Sequence, residues 1–148
     1  MRIALLEDNP ANSEYMQILL ELEGHQVFPH PQGHSLVSAL QTIGDVSLYD
    51  VIIIDLLLPN TLTGQDVMHS LQEQNPAKLL PFIVVSASSW QELKSVQADF
   101  PETPIIRKPF KSKLLLEAIQ RVVSRSKAPL PTSPDPPGVA TTPESGTP

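Results

Sequence analysis

Apolar residues recur along the first part of the chain in two alternating patterns. Short β-branched or apolar runs, Ile3 to Leu6, Gln26 to Phe28, Val51 to Ile54, Phe82 to Val85 and Ile105 to Ile106, read as strands. Between them the spacing becomes helical. Asn9-Pro10 has the form of an N-cap followed by proline at the first helical position. Ala11, Tyr15, Ile18, Leu19 and Leu22 then recur at helical spacing until Gly24 stops the pattern. Further helices are predicted over Ser35 to Ile43, Gln65 to Gln74, Trp90 to Gln97 and Ser112 to about Ser126, the last with Leu115, Ile119, Val122 and Val123 on one face. Strands and helices in strict alternation predict an α/β fold with a doubly wound parallel sheet, because each strand-helix-strand crossover has to be right-handed.

Composition changes this picture at one end. Of 148 residues 16 are proline, and seven of these fall in Pro129 to Pro148, where almost no large apolar side chain is left to offset the entropy of ordering. Residues 1–128 are therefore expected to fold and 129–148 to be a disordered Pro-rich tail or linker. A net charge of −6 gives no general attraction to nucleic acid or anionic membrane, and no basic motif of recognised spacing supplies a local one. Seven of the ten basic residues lie between Arg107 and Lys127, which reads as a solvated helix face. Without cysteine there is no disulfide, thiolate nucleophile or Cys-zinc site. The most apolar stretch, Val51 to Leu58, is far shorter than the roughly 20 residues of a spanning helix and contains Asp55. A soluble, cytoplasmic protein is expected.

Ligands of open α/β sheets bind beyond the carboxyl ends of the strands, so the residue after each apolar run is the place to look for chemistry. Strand one is followed by Glu7-Asp8, strand three by Asp55, strand four by Ser86 and strand five by Arg107-Lys108. Three carboxylates at one rim repel one another unless a hard, oxygen-seeking cation joins them, and Mg²⁺ is the natural choice. With its charge screened, Asp55 can attack a phosphoryl donor, while Lys108 and Ser86 balance charge on the phosphoryl oxygens. Singly, these residues have plainer readings: Asp55 as a turn aspartate, Glu7 and Asp8 as favouring a helix N-terminus, Ser86 as an ordinary strand-end serine, Lys108 as a surface charge. Their joint placement on successive strand ends selects the chemical one.

The segments LLEDNP at Leu5 to Pro10, IIIDLLLP at Ile52 to Pro59, VVSAS at Val84 to Ser88 and RKPF at Arg107 to Phe110 together resemble the receiver domains of two-component response regulators, over residues 1 to about 126. That resemblance implies a flavodoxin-like sheet of strand order 2-1-3-4-5 with helices on both faces. It implies Asp8 and Asp55 as direct Mg²⁺ ligands, Glu7 acting mostly through water, and the backbone carbonyl of Leu57 completing the set. Asp55 would take its phosphoryl group from a histidine kinase or phosphotransfer protein and Lys108 would pair with it. The Lys108-Pro109 bond resembles one that is cis in the family. A downstream protein target and pairing of two copies through helix four, strand five and helix five are further implications.

Some positions depart from the family pattern. Ile105 stands where an aromatic side chain is usual, three before Lys108, and the loop after Pro59 holds one extra residue before Gly64. Leu57 and Ser88 occupy positions that govern water access to the acyl phosphate, and the apolar Leu57 points to slow hydrolysis. Leu57 also stands where a phosphatase of the haloacid dehalogenase type needs a second aspartate as general acid, which removes that enzyme. The chain reads as a regulatory phosphoacceptor and not an enzyme. The remaining competitor is a pseudo-receiver, a protein-interaction module that is never phosphorylated. His25, His30, His34 and His69 match no ligand spacing and are expected on the surface or in loops; Trp90 and Leu93 are expected to pack their helix.

Overall fold

A computed structural model describes residues 1–43, 49–58, 62–77 and 79–127, with the backbone alone for 39–43 and 126–127. In chain order the elements are β1 (Arg2–Leu6), α1 (Pro10–Leu22), β2 (Gln26–His30), α2 (Gly33–Ile43), β3 (Val51–Ile54), α3 (Gly64–Gln74), β4 (Phe82–Ser86), α4 (Trp90–Asp99), β5 (Ile105–Arg107) and α5 (Ser112–Lys127). The strands form one parallel sheet in the order β2-β1-β3-β4-β5. This is the doubly wound topology expected from the alternation of patterns. The Pro-rich stretch 129–148 and the extra loop residue after Pro59 lie outside the described residues.

Apart from Arg2 and Ser86 at their ends, the three central strands are apolar because both of their faces are covered. Side chains alternate along each strand, so Ala4, Leu6, Ile52, Ile54, Phe82 and Val84 point to one face and pack with Leu36, Val67, Met68, Leu71, Leu93 and Val96 from α2, α3 and α4. Ile3, Leu5, Val51, Ile53, Ile83 and Val85 point to the other, against Met16 and Leu20 of α1 and Leu115, Ala118, Ile119 and Val122 of α5. β2 is an edge strand, which is why it continues beyond Phe28 through Pro29: a proline cannot donate to a ladder, and an edge strand has one side that needs no donor.

The helix ends follow their sequence signals. Asn9 Oδ1 accepts from the Asn12 N–H at 3.0 Å with Pro10 behind it. Gly24 takes φ +87°, the left-handed geometry that ends α1. At α3, Thr63 Oγ1 accepts from Asp66 N at 3.1 Å and Asp66 Oδ2 accepts from Thr63 N at 3.0 Å, a reciprocal capping box. Thr63→Ala is expected to cost about 1 kcal/mol in urea unfolding, because it leaves the Asp66 N–H without its cap.

Two helix faces differ from expectation. The stripe Ala11, Tyr15, Ile18 and Leu22 of α1 is exposed, and Ser13, Met16 and Leu20 are buried instead. Helical spacing fits both stripes. The buried one is the face turned to the sheet, and it accommodates the small hydroxyl of Ser13. On α4 Leu93 is buried as expected, but Trp90 is 59% exposed, with the Arg107 guanidinium 4.6 Å from its ring centre. His30 is neither loop nor surface: it lies half-buried on β2, 3.4 Å from the Tyr49 hydroxyl, and burial lowers its pKa.

Candidate functional site

Four strand ends meet at one rim of the sheet, held level by the parallel registers Leu6↔Ile54 and Ser86↔Arg107. Backbone bonds lock the first residues past each strand: Asp55 N donates to Leu6 O at 3.0 Å, Lys108 N to Ser86 O at 3.0 Å, and Glu7 N to His30 O at 3.2 Å. The side chains at these positions therefore converge although Glu7 and Lys108 are 101 residues apart.

Asp55 is only 5% exposed. Its Oδ1 accepts from Ser86 Oγ at 3.0 Å and from the Leu57 N–H at 2.9 Å, and its Oδ2 accepts from Lys108 Nζ at 2.9 Å. Lys108 Nζ also reaches Glu7 Oε1 at 2.6 Å. Carboxylate oxygens of Glu7, Asp8 and Asp55 lie within 4.8 Å of one another. All the side chains expected at this site are thus brought together, and the Lys108–Pro109 peptide is cis.

The charges in this cluster do not balance. One ammonium is shared by Glu7 and Asp55, with Asp8 beside them. Burial raises the pKa of Glu7, only partly countered by its bond to Lys108, and the neighbouring Asp55 raises it further. Burial alone would lower the pKa of Lys108, but hydrogen bonds to two carboxylates outweigh it and hold the ammonium above its ordinary value. The asymmetry is physical: the lysine gains two anions, whereas each carboxylate gains half a cation. Oxygen donors with an excess of negative charge in a shielded crevice fit a hard divalent cation.

A carboxyl whose folded pKa is raised contributes stability below its unfolded pKa of 4.5, and loses it as pH rises through the folded value. Ionised Glu7 therefore burdens the metal-free protein at neutral pH. Glu7→Gln is expected to raise its melting temperature at pH 7 and to have a smaller effect at pH 4. An equal effect at both would contradict the assignment of strain to Glu7.

Two participants take parts that the sequence reading did not give them: Ser88 was marked only for water access, and Gly64 only as the end of a loop. Ser88 is 2% exposed and its Oγ sits 2.9 Å from Ser86 Oγ. The signal was the Ser-Ala-Ser spacing, since alternate residues of an extended segment share a face. Gly64, at the start of α3, lies against the Asp55–Leu56 backbone so closely that no Cβ fits. A glycine at the first position of a helix was its only trace.

Residues 3–120 match the family model described as the response regulator receiver domain. The chain is 31% identical over 128 residues to the cell cycle transcriptional regulator CtrA of Caulobacter vibrioides, covering 86% of this chain and 52% of that protein. It is 28% identical over 127 residues to the cell cycle response regulator CtrA of Brucella ovis, with 86% and 52% covered, so it spans about half the length of these relatives. Among solved structures, a response regulator receiver domain protein from Clostridium thermocellum superposes with a TM-score of 0.73 at 20% identity over 85% of this chain and 96% of that one. The signal receiver domain of a signal transduction histidine kinase from Syntrophus aciditrophicus does so with a TM-score of 0.72 at 25% identity, over 89% and 96%. With the fold, the strand-end cluster and these likenesses in agreement, the chain belongs to the response regulator receiver domain family.

Proposed function

We propose that the protein is a phosphorylation-dependent signalling switch in which Asp55 accepts a phosphoryl group, in a Mg²⁺-dependent reaction, from a histidine kinase or phosphotransfer protein. The observation that carries this reading is the state of Asp55: a buried carboxylate aimed by three donors, Ser86, Leu57 and Lys108, beside two further carboxylates. Asp8 and Asp55 would bind the ion directly, Glu7 through water, and Leu57 by its carbonyl. Bound there, Mg²⁺ screens the carboxylates from each other and from the incoming phosphoryl oxygens.

Attack by a carboxylate oxygen of Asp55 forms an O–P bond as the donor's P–N bond breaks. The electron pair stays with the donor imidazole, which leaves neutral if its other nitrogen carries a proton. Lys108 Nζ, already 2.9 Å from Asp55 Oδ2, is placed to follow the negative charge onto the phosphoryl oxygens. Ser86 exchanges its carboxylate acceptor for a phosphoryl oxygen in the same way. Both residues begin connections that lead outward, Ser86 to α4 through residues 87–89 and Lys108 from Arg107, which stacks on Trp90. The change in hydrogen bonding thereby reaches a surface where a protein target binds.

In this reading the chain is a regulatory phosphoacceptor, not a catalyst acting on other molecules, and it passes its signal by protein contact without touching nucleic acid. A cytoplasmic location fits the phosphodonor; among the described residues no helix is long and apolar enough to cross a membrane. Ile105 favours one other reading, the unphosphorylated pseudo-receiver, since it offers no ring or hydroxyl to rearrange. Incubation with acetyl phosphate, with and without Mg²⁺, followed by intact mass measurement, separates the two. One added phosphoryl group, only with Mg²⁺, supports the switch; no addition under any condition supports the pseudo-receiver.

A further inference from the structure

We propose that Ser88 is a positioning residue for phosphoryl acceptance: its hydroxyl donates to Ser86 Oγ and so directs the single Ser86 proton at Asp55. The inference rests on the reading of Asp55 as phosphoacceptor and adds to it a residue that never touches the reacting atoms.

Proton counting gives the direction of each bond. A serine hydroxyl has one proton and two lone pairs, and an ionised carboxylate can only accept. The Ser86 proton is therefore committed to Asp55 Oδ1 at 3.0 Å. Ser88 Oγ is 2.9 Å from Ser86 Oγ, and as Ser86 has no second proton, Ser88 must be the donor. The Ser88 N–H donates to the same oxygen at 3.2 Å. Both lone pairs of Ser86 are then filled, and its hydroxyl has one direction left. Ser86 is 0% and Ser88 2% exposed, so bulk water does not compete for these bonds.

Two chemical consequences follow. An oxygen that accepts two hydrogen bonds polarises its own O–H, which makes Ser86 a stronger donor to charge developing near Asp55. A hydroxyl already aimed at that charge also needs no reorientation when the phosphoryl group arrives. The backbone arrangement supports both, because Ser86 closes β4 and Ser88 lies two residues on, with only Ala87 between them.

The test is a double-mutant cycle on the whole chain with Ser86→Ala, Ser88→Ala and both, using acetyl phosphate and Mg²⁺ at several donor concentrations. Ser88→Ala is expected to lower the maximal rate of phosphoryl uptake roughly 3- to 10-fold, the worth of one hydrogen bond, with the half-saturating donor concentration unchanged. In the Ser86→Ala background the same change is expected to have no further effect. A wild-type rate in Ser88→Ala, or an undiminished loss in the Ser86→Ala background, overturns the proposal while wild-type uptake keeps the phosphoacceptor reading. Denaturant midpoints of the four unphosphorylated proteins test the pair even if wild type takes up nothing. The double variant should lose no more than Ser86→Ala alone; additive losses contradict the shared bond.

Discussion

Asp55→Asn is expected to abolish phosphoryl uptake, a loss of at least about a thousandfold, while leaving the fold intact. The amide is no nucleophile at phosphorus. Its oxygen can nevertheless take the place of Oδ1, accepting from Ser86 Oγ and the Leu57 N–H, and Lys108 keeps its 2.6 Å bond to Glu7. One negative charge leaves a cluster that has too many. The amide NH2 then faces Lys108 Nζ in place of the accepting Oδ2, which offsets part of that relief, so circular dichroism and the denaturant midpoint should stay close to wild type. Uptake that persists in a folded Asp55→Asn protein would move the acceptor elsewhere, and Asp8, within the same 4.8 Å cluster, would be the first residue to replace.

Gly64→Ala is the second large effect, and intrinsic propensity gives it the wrong sign. Within a helix, alanine is better than glycine by about 1 kcal/mol. Here a Cβ would meet the Asp55 carbonyl oxygen and would stand 2.8 Å from Leu56 Cα, atoms of a backbone pinned by the sheet. Overpacking against backbone cannot be relieved by rotating a side chain, so a net loss of about 3 kcal/mol is expected in urea unfolding. The peptide that must yield carries Asp55. A displacement of a few tenths of an ångström there misaligns the carboxylate with Ser86 and Lys108, and uptake should fall about 10- to 100-fold in the protein that remains folded. Stabilisation in Gly64→Ala would show that α3 stands off from β3 in solution.

The site was legible in the sequence because its residues end apolar runs. β3 and β4 are buried on both faces, so the first polar residue after each apolar run, Asp55 and Ser86, marks the rim, and Glu7 and Lys108 do the same for their neighbours. The doubly wound sheet and the sharing of one rim followed from the alternation of strands and helices, whereas the strand order came with the family resemblance. What the pattern did not carry were choices between equivalent geometries. α1 has two apolar stripes at helical spacing, and only its docking on the sheet chose Met16 and Leu20 over Tyr15 and Ile18. Trp90 looks like a core residue by type but is held at the surface by Arg107, a contact between α4 and β5 that no local pattern encodes. Hydrogen-bond direction was equally hidden. Ser88 could be located in sequence, but only the distance to a Ser86 already committed to Asp55 makes it a donor.

Chemical location of the phosphoryl group tests the central claim most directly. Borohydride reduces an aspartyl phosphate to homoserine, which peptide mass spectrometry can place by residue. After treatment with acetyl phosphate and Mg²⁺, homoserine is predicted at position 55 and at no other, and its yield should vanish when Mg²⁺ is chelated. Reduction at Asp8 instead, or an unreduced Asp55 in protein that has gained phosphoryl mass, would contradict the account.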